Sequence, residues 1–271
     1  MDSSAPIGIF DSGVGGLTVM RRLIHLLPNE NVVYFGDTAR VPYGNKSKET
    51  VLRYTHQIIR FLETKQVKAI VIACNTASAY ALHEVERTYP IPIIGVIRPG
   101  AEMAAKTTKN NKVGVIGTYA TIGSHAYEIS IKKINGKIEV FNKACPLFVP
   151  FVEEGLLDDV LTDGIIARYL TDLREQDIDT LMLGCTHYPL LRPSIEKFMG
   201  NGVTCVDPAE VASIELKEVL RKNDLLNDRD TMLDSQYEFY VSDSAEKMAE
   251  FANRIMPFQI EKVHKVNIEA F

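Results

Sequence analysis

The sequence predicts an α/β fold of two pseudo-symmetric lobes, each a mainly parallel sheet flanked by helices. Short runs of apolar, largely β-branched residues alternate with longer amphipathic segments along the chain of 271 residues. Near-continuous apolar strands are typical of parallel sheets that helices cover on both faces, and a chain of this length can form two hydrophobic cores. Because parallel sheets bind ligands beyond the carboxyl ends of their strands, we expect the site in the cleft between the lobes.

The predicted elements follow one another along the whole chain. The short apolar runs predict strands at Ile7–Phe10, Val32–Phe35, Ala69–Ala73, Pro92–Ile97, Val113–Gly117, Ile138–Phe141, Thr180–Gly184 and Val203–Val206. The amphipathic segments predict helices at Leu17–Leu27, Ser47–Glu63, Thr76–Thr88, Thr121–Ile134, Asp163–Glu175, Pro189–Met199 and Pro208–Arg221. Prolines interrupt the pattern near residues 97–100 and 207–208. We therefore predict a first lobe of residues 1–98 and 208–271, and a second lobe of residues 99–207.

The overall composition is that of an ordinary soluble globular protein. The chain carries 30 basic and 35 acidic residues, a net charge of −5, and no basic cluster interleaved with aromatic residues indicates nucleic-acid binding. Apolar runs such as Ala69–Cys74 are far shorter than the roughly 20 residues that span a bilayer. The first residues, Met1–Ser4, do not resemble a signal peptide. We expect a cytoplasmic protein with no membrane or nucleic-acid partner.

Two segments of the chain resemble one another around a cysteine. In each, a buried strand ends near a cysteine, Cys74 or Cys185, and a threonine follows within two residues. The two cysteines lie 111 residues apart (185 − 74), about the length of one small domain. We interpret the segments as two copies of one half, each contributing a thiol. No CxxC pair occurs, so structural disulfides are not expected in a reducing cytosol, and Cys205 is predicted to be a small buried hydrophobe.

The glycine-rich segment from Asp11 to Gly16 turns the chain from a strand into a helix and has two interpretations. Glycines after a strand are typical of a dinucleotide loop, and Asp37 stands where a ribose-binding acid would lie. However, Thr18 occupies the third glycine position, and the Asp11 carboxylate would repel a phosphate. The alternative is a tight turn in which Asp11 or Ser12 caps the helix. Capping accounts for one of these two residues but not for both.

A thiol at the start of a helix meets oriented backbone N–H groups, which lower its pKa from about 8.5. Cys74 and Cys185 are both predicted to be placed in this way. Three alternatives are open: two structural cysteines, a zinc site that adds Asp11 and His187 without the usual short ligand spacing, and a hydrolase that pairs one cysteine with His187. The hydrolase would leave the second cysteine without a role.

Inversion of a stereocentre by proton transfer requires a base on one face of the carbon and an acid on the other. A thiolate and a thiol suit this task because each can take the other's role in the reverse reaction. We expect Asp11 to serve Cys74 and His187 to serve Cys185 as proton partners. Removal of the proton leaves a carbanion-like state at the carbon. Desolvation and fixed hydrogen-bond donors would stabilise that state.

Other polar residues near the predicted strand ends are candidates for substrate binding. The residues Asn75, Thr76 and Thr186 follow the two cysteines and can donate hydrogen bonds to carboxylates. The turn Pro42-Tyr43-Gly44 is expected to bend over the pocket and contact a second carboxylate of the substrate. The alternative is that this turn is an ordinary surface loop. Glu153 is predicted near the start of a short helix, where the helix dipole alone would account for an acid.

Taken in order, these motifs resemble the glutamate racemases of the aspartate/glutamate racemase family. The similarity runs from about Ile7 to Pro208 and is carried by Phe10–Leu17, Pro42–Gly44, Ala73–Ser78 and Gly184–Pro189, with connecting segments Val96–Gly100, Gly114–Thr118 and Cys145–Leu147. The resemblance implies two α/β lobes, the first built from both ends of the chain. It also implies interconversion of L- and D-glutamate without a cofactor or metal, supplying D-glutamate for peptidoglycan, and is compatible with a homodimer.

The resemblance also implies roles for individual residues. Cys74 and Cys185 would be the two acid/base residues, with assistance from Asp37 and Glu153. The residues implied to contact the substrate are Asp11, Ser12, Tyr43, Gly44, Asn75, Thr76, Thr186 and His187.

Overall fold

The computed structural model describes residues 2–227 and 236–271. The strands of these ranges are β1 (Ile7–Asp11), β2 (Val32–Gly36), β3 (Ala69–Ile72), β4 (Ile93–Gly95), β5 (Lys112–Gly117), β6 (Glu139–Ala144), β7 (Thr180–Gly184), β8 (Thr204–Val206), β9 (Tyr237–Val241) and β10 (His264–Lys265). The helices are α1 (Leu17–Leu26), α2 (Lys48–Thr64), α3 (Asn75–Thr88), α4 (Ile97–Thr107), α5 (Tyr119–Gly123), α6 (Ala126–Ile134), α7 (Phe148–Glu153), α8 (Val160–Glu175), α9 (Arg192–Met199), α10 (Pro208–Lys222) and α11 (Ala245–Ile255). Short 3₁₀ turns lie at Tyr43–Asn45, Tyr188–Leu191 and Ile268–Ala270.

The strands form two sheets whose described neighbours all pair in parallel. The first sheet has six strands in the order β10-β9-β2-β1-β3-β4, and the second has four in the order β6-β5-β7-β8. The six-stranded sheet therefore takes its strands from both ends of the chain, whereas the four-stranded sheet is built from the middle. The predicted α/β class with two mainly parallel sheets is confirmed. The division at residues 98/99 and 207/208 stays a prediction.

Burial on both faces explains the apolar strands. All residues of β1, β2, β3 and β7 are buried, as expected for parallel strands covered by helices. Several helices begin at a capping side chain: Ser47 accepts a hydrogen bond from the Thr50 N–H at 3.3 Å, and Asp207 accepts one from Ala209 at 3.0 Å. Such caps satisfy backbone donors that have no partner within the helix.

Two helices connect the layers of the two sheets. Helix α4 packs against α6 and β7 of the four-stranded sheet, and α10 contacts both α1 and α4. The carboxyl ends of β1, β3, β5 and β7 consequently open toward a shared region between the sheets, where the cavity described below lies. None of the described helices combines the length and the hydropathy needed to cross a membrane.

The structure corrects several predicted elements. Residues 121–134 were predicted as one helix but form α5 and α6, because His125 between them adopts a left-handed φ of 54°. The predicted strand Pro92–Ile97 is shorter, and its last residue begins α4, a helix that the sequence pattern did not predict. Residues 189–191 belong to a 3₁₀ turn rather than to the following helix. Strands β9 and β10 and helix α11 were also not predicted.

Candidate active site

One cavity of about 280 Å³ brings most of the predicted site residues together. Its walls contain the predicted residues Ser12, Pro42, Tyr43, Gly44, Cys74, Asn75, Thr76, Glu153, Cys185, Thr186 and His187. It is also lined by residues that sequence reasoning did not select, namely Gly13, Val41, Asn45, Thr118, Pro146, Val149 and Pro150. The first sheet contributes one cysteine and the second sheet contributes the other. Asp11 and Asp37 are absent from the lining, and both are fully buried.

Cys74 occupies the N-cap position of α3, two residues beyond the end of β3. Its Sγ accepts a hydrogen bond from the Ala77 N–H at 3.5 Å and lies 3.6 Å from the Ser12 hydroxyl oxygen. Burial, followed by the negative charge of Asp11, raises the pKa of the Cys74 thiol to about 12. The prediction that the helix start lowers this pKa is therefore wrong, because desolvation of a thiolate outweighs two weak hydrogen bonds.

Cys185 lies one residue beyond the end of β7 and has a histidine as its partner. Its Sγ is 3.9 Å from His187 Nδ1, and the other ring nitrogen, Nε2, is 3.0 Å from Glu153 Oε1. Burial alone would lower the pKa of His187, but its contacts with Cys185 and Glu153 outweigh burial and raise the pKa to about 10. The imidazole is thus cationic at neutral pH.

Two predictions about this side of the cavity are corrected. Cys185 was expected at a helix start, but it precedes a turn and the 3₁₀ segment Tyr188–Leu191, so no regular helix dipole points at its sulfur. Glu153 was expected near a helix start, but it is the last residue of α7. The helix dipole therefore does not account for this acid, and its partner is His187 instead.

Asp11 lies behind the cavity wall rather than in it. Its Oδ2 accepts a hydrogen bond from the Gly13 N–H at 3.0 Å, and its Oδ1 accepts one from the Thr186 hydroxyl at 3.4 Å. Burial raises its pKa, and the charge of His187 opposes that increase. Among the described residues the hydrogen-bonding partners of the Cys74 thiol are Ser12 and Ala77. We predicted that Asp11 is the direct proton partner of Cys74, but no hydrogen bond joins these two described residues. The negative charge of Asp11 instead contributes to the raised pKa of the Cys74 thiol.

The glycines after Asp11 permit close packing between the sheets. A Cβ atom on Gly15 would lie 2.4 Å from Thr186 Oγ1 and 2.5 Å from the His187 ring, distances that no side chain can occupy. Helix α1 begins after Gly16 without a side-chain cap, so capping is not the function of Asp11 or Ser12. The glycine-rich loop brings the first sheet against the histidine of the second.

Asp37 supports the loop that forms one wall of the cavity. Its carboxylate accepts hydrogen bonds from Arg40 Nε at 2.7 Å, from the Ser242 hydroxyl at 2.8 Å and from the Tyr43 hydroxyl. Asp37 does not reach the cavity, so the predicted catalytic assistance from this residue could act only through Tyr43. Gly44, which follows Tyr43 in the chain, approaches Thr118 closely. A Cβ atom on Gly44 would lie 2.6 Å from the threonine Cβ.

Neutral hydrogen-bonding groups surround the rest of the cavity. The Thr76 hydroxyl is 3.0 Å from both the Thr118 and the Thr121 hydroxyls, and the Asn75 side chain accepts a hydrogen bond from the Tyr127 hydroxyl at 2.6 Å. Thr118 directly follows β5, so the rule that ligands bind beyond strand ends could have identified it from sequence. Of the described residues, no lysine or arginine lines this cavity.

The predicted zinc alternative has no geometric support in the described ranges. These ranges contain no cluster of three or more histidine, cysteine, aspartate or glutamate side chains arranged to hold a metal ion. All four cysteines are free thiols, and Cys205 is buried as predicted.

Residues 7–215 match the Asp/Glu/Hydantoin racemase family, whose members invert stereocentres, and the chain belongs to this family of isomerases. Within this family, the chain is similar to glutamate racemases. The chain is 49% identical over 264 residues to the glutamate racemase of Geobacter metallireducens, covering 97% of each chain. Among solved structures, a glutamate racemase isoform from Bacillus anthracis superposes with a TM-score of 0.93 at 40% identity, covering 97% of this chain and 98% of that one.

A second solved structure is the Francisella tularensis glutamate racemase in complex with D-glutamate. It is 40% identical to this chain, covers 99% of it and 100% of its own length, and superposes with a TM-score of 0.92. The family resemblance inferred from the sequence motifs is therefore confirmed.

Proposed function

We propose that this chain interconverts L- and D-glutamate by a two-base mechanism in which Cys74 and Cys185 act on opposite faces of the α-carbon. The observation that carries the proposal is that one thiol from each sheet lines the same cavity. The substrate assignment rests on the relatives, which are glutamate racemases at 49% and 40% identity, one of them solved with D-glutamate.

The two thiols have complementary surroundings for an acid and a base. With a pKa of about 12, Cys74 holds its proton and can donate it. Cys185 lies 3.9 Å from Nδ1 of the cationic His187 imidazole, and we assign its sulfur the role of the base. When Cys185 takes the α-proton of one enantiomer, Cys74 returns a proton to the other face, and the α-carbon is inverted. The forward turnover leaves Cys74 as a thiolate and Cys185 as a thiol. In the reverse direction Cys74 takes the α-proton of the other enantiomer and Cys185 returns one.

The α-proton of an amino acid is weakly acidic, so the cavity must stabilise a carbanion-like state. Fixed hydrogen-bond donors in a cavity that excludes water are effective because they need no reorganisation during the reaction. Donors from Asn75 and Thr76 lie on the cavity wall, and we propose that they hold the substrate carboxylates. Thr186, whose hydroxyl donates to Asp11, lines the wall beside them. No lysine or arginine is among the described lining residues, so we propose that the His187 cation compensates these negative charges.

Several further assignments belong to this proposal. Ser12, Pro42, Tyr43, Gly44 and His187 line the cavity and would contact the substrate, whereas Asp11 would act on it through Thr186. Glu153 would assist through His187, and Asp37 through Tyr43. The lobes would comprise residues 1–98 with 208–271, and residues 99–207. A cytoplasmic location, a homodimer and a supply of D-glutamate to peptidoglycan follow from the family resemblance.

Incubation of each pure enantiomer in heavy water with purified protein tests the proposal. We expect the optical rotation of glutamate to decay to zero from either side, with deuterium appearing at the α-carbon. Aspartate, one methylene shorter, should react at least tenfold more slowly, since one missing methylene changes binding by about 1–3 kcal/mol. Folded protein that exchanges neither enantiomer of glutamate would refute the assignment, and faster turnover of aspartate would reassign the substrate.

A further inference from the structure

The side chain of Asn75 can present either of two chemically opposite groups to the cavity. Its amide nitrogen donates hydrogen bonds and its amide oxygen only accepts them. A substrate carboxylate needs the donor, and an oxygen in that place would repel it. The usefulness of Asn75 therefore depends on what fixes the orientation of its amide.

A tyrosine on a helix that packs against the second sheet sets that orientation. Tyr127 on α6 donates its hydroxyl hydrogen to Asn75 Oδ1 at 2.6 Å. Asn75 itself begins α3, which packs against β3 and β4 of the first sheet. The amide oxygen is thereby occupied. Among the described residues the amide nitrogen has no protein partner, and it is not one of the buried polar atoms left unsatisfied, so it is accessible to a ligand. Asn75 lines the cavity.

The tyrosine ring has little freedom to move. Tyr127 is 2% exposed, and its ring edges face two glycines: a Cβ on Gly100 or on Gly184 would lie 3.2 or 3.1 Å from the ring carbons. Burial, with the charges of Asp207 and Cys185, raises the pKa of the phenol well above its ordinary value. The hydroxyl therefore keeps its proton and remains a donor throughout the neutral range.

We infer that Tyr127 is a positioning residue, which holds Asn75 with its amide nitrogen toward the substrate carboxylate only while the two sheets are in contact. The inference rests on the proposed function, since it assigns Asn75 the task of binding a carboxylate. Tyr127 does not line the cavity and acts on the substrate through Asn75 alone. Binding of the substrate and apposition of the sheets are thereby coupled through one hydrogen bond.

A double-mutant cycle tests this assignment by comparing glutamate turnover in Tyr127→Phe, Asn75→Ala and the double variant. Tyr127→Phe keeps the ring and removes one hydrogen bond, so we expect KM to rise about fivefold with kcat within about twofold. In the Asn75→Ala background the same change should alter KM by less than about twofold, because the group that Tyr127 positions is gone. The matched control is Tyr188→Phe, whose buried hydroxyl donates to the Cys145 carbonyl at 2.8 Å; it should lower the melting temperature without changing KM.

The outcomes separate this inference from the proposed function. An unchanged KM in Tyr127→Phe, or an equal rise in both backgrounds, overturns the positioning role while wild-type racemisation leaves the proposed function standing. A second variant tests the amide orientation without altering the tyrosine. Asn75→Asp replaces the donor with a negative oxygen, so KM should rise more than in Asn75→Ala. A smaller rise in Asn75→Asp than in Asn75→Ala means that the amide oxygen faces the substrate, which contradicts the inference.

Discussion

The surroundings of Cys74 and of Cys185 differ, although the two segments look alike in sequence. The Cys74 sulfur contacts a backbone N–H and the neutral Ser12 hydroxyl. The Cys185 sulfur contacts one ring nitrogen of His187, and Glu153 contacts the other ring nitrogen. The first sulfur is thus kept protonated by burial and the second is placed beside a cation. Two segments that look alike in sequence can therefore place their sulfurs in different surroundings, as an acid and a base require.

Replacing either cysteine of the cavity tests whether both sides are required and should have the largest effect. Cys74→Ser and Cys185→Ser are each expected to reduce kcat/KM for racemisation roughly a thousandfold, because an alcohol is a far weaker acid than a thiol. The measurement is the initial rate of optical-rotation change from each enantiomer. Cys145→Ser and Cys205→Ser are the controls, since neither sulfur lines the cavity; near-normal turnover in a cavity variant would remove that thiol from the mechanism.

Removal of the imidazole tests the Cys185 side specifically. His187→Gln should lower kcat/KM about a hundredfold, and by the same factor in both directions, because two enantiomers have equal free energy. Proton transfer at Cys185 then becomes more rate-limiting. The primary deuterium isotope effect should therefore rise for the enantiomer of α-deuterated glutamate whose α-hydrogen Cys185 removes. It should fall for the other enantiomer, because transfer at Cys74 becomes less rate-limiting. Isotope effects that rise equally for both would mean that His187 serves both faces.

The corresponding change on the Cys74 side is expected to be smaller. Ser12→Ala removes a neutral contact at 3.6 Å, which is worth about 1 kcal/mol, so kcat/KM should fall no more than about tenfold. Any rise in the isotope effect should appear with the enantiomer whose isotope effect His187→Gln lowers, because Cys74 removes its α-hydrogen. A loss as large as that of His187→Gln would show that Ser12 contributes as much to proton transfer at Cys74 as His187 does at Cys185.

The smallest effect is expected at Glu153, which supports the imidazole from a half-exposed position. Its negative charge favours protonated His187, so Glu153→Gln should lower the pKa of His187 from about 10. Activity that depends on the cationic imidazole would then be lost at lower pH, which moves the alkaline limb of the kcat/KM profile to lower pH. At neutral pH we expect at most a fivefold loss of kcat/KM. An alkaline limb that stays in place or moves upward contradicts this role, and Glu154→Gln serves as the neighbouring control.

Local sequence patterns predicted the strands and the strand-end residues well because both depend on the local chain. Cys74, Cys185, Asn75 and Thr186 follow apolar strands directly, and parallel pairing brings such ends to one edge. Helix α4 was missed because its proline suggested an interruption. Pro99 lies in the first turn of α4, where the missing N–H would have no helical partner in any case.

Features that depend on distant contacts could not be predicted from local patterns. Burial raises the pKa of Cys74, and Asp11 is buried beside Thr186 of the second sheet. Asp37, which accepts a hydrogen bond from Tyr43, also accepts one from Ser242 near the far end of the chain. Similarly, Glu153 and His187 lie 34 residues apart in sequence. The residue types indicated the chemistry, whereas the pairing of helpers with thiols required the three-dimensional structure.

The position of deuterium at early conversion tests the central claim most directly. Pure L-glutamate is incubated with the protein in heavy water, the reaction is stopped at a few per cent conversion, and the two enantiomers are separated and analysed by mass. If two sulfurs act from opposite faces, the D-glutamate formed carries deuterium at its α-carbon while the recovered L-glutamate carries almost none, and the reverse holds from D-glutamate. A product that keeps its original hydrogen, or recovered starting material labelled as fast as the product, would show that a single base serves both faces.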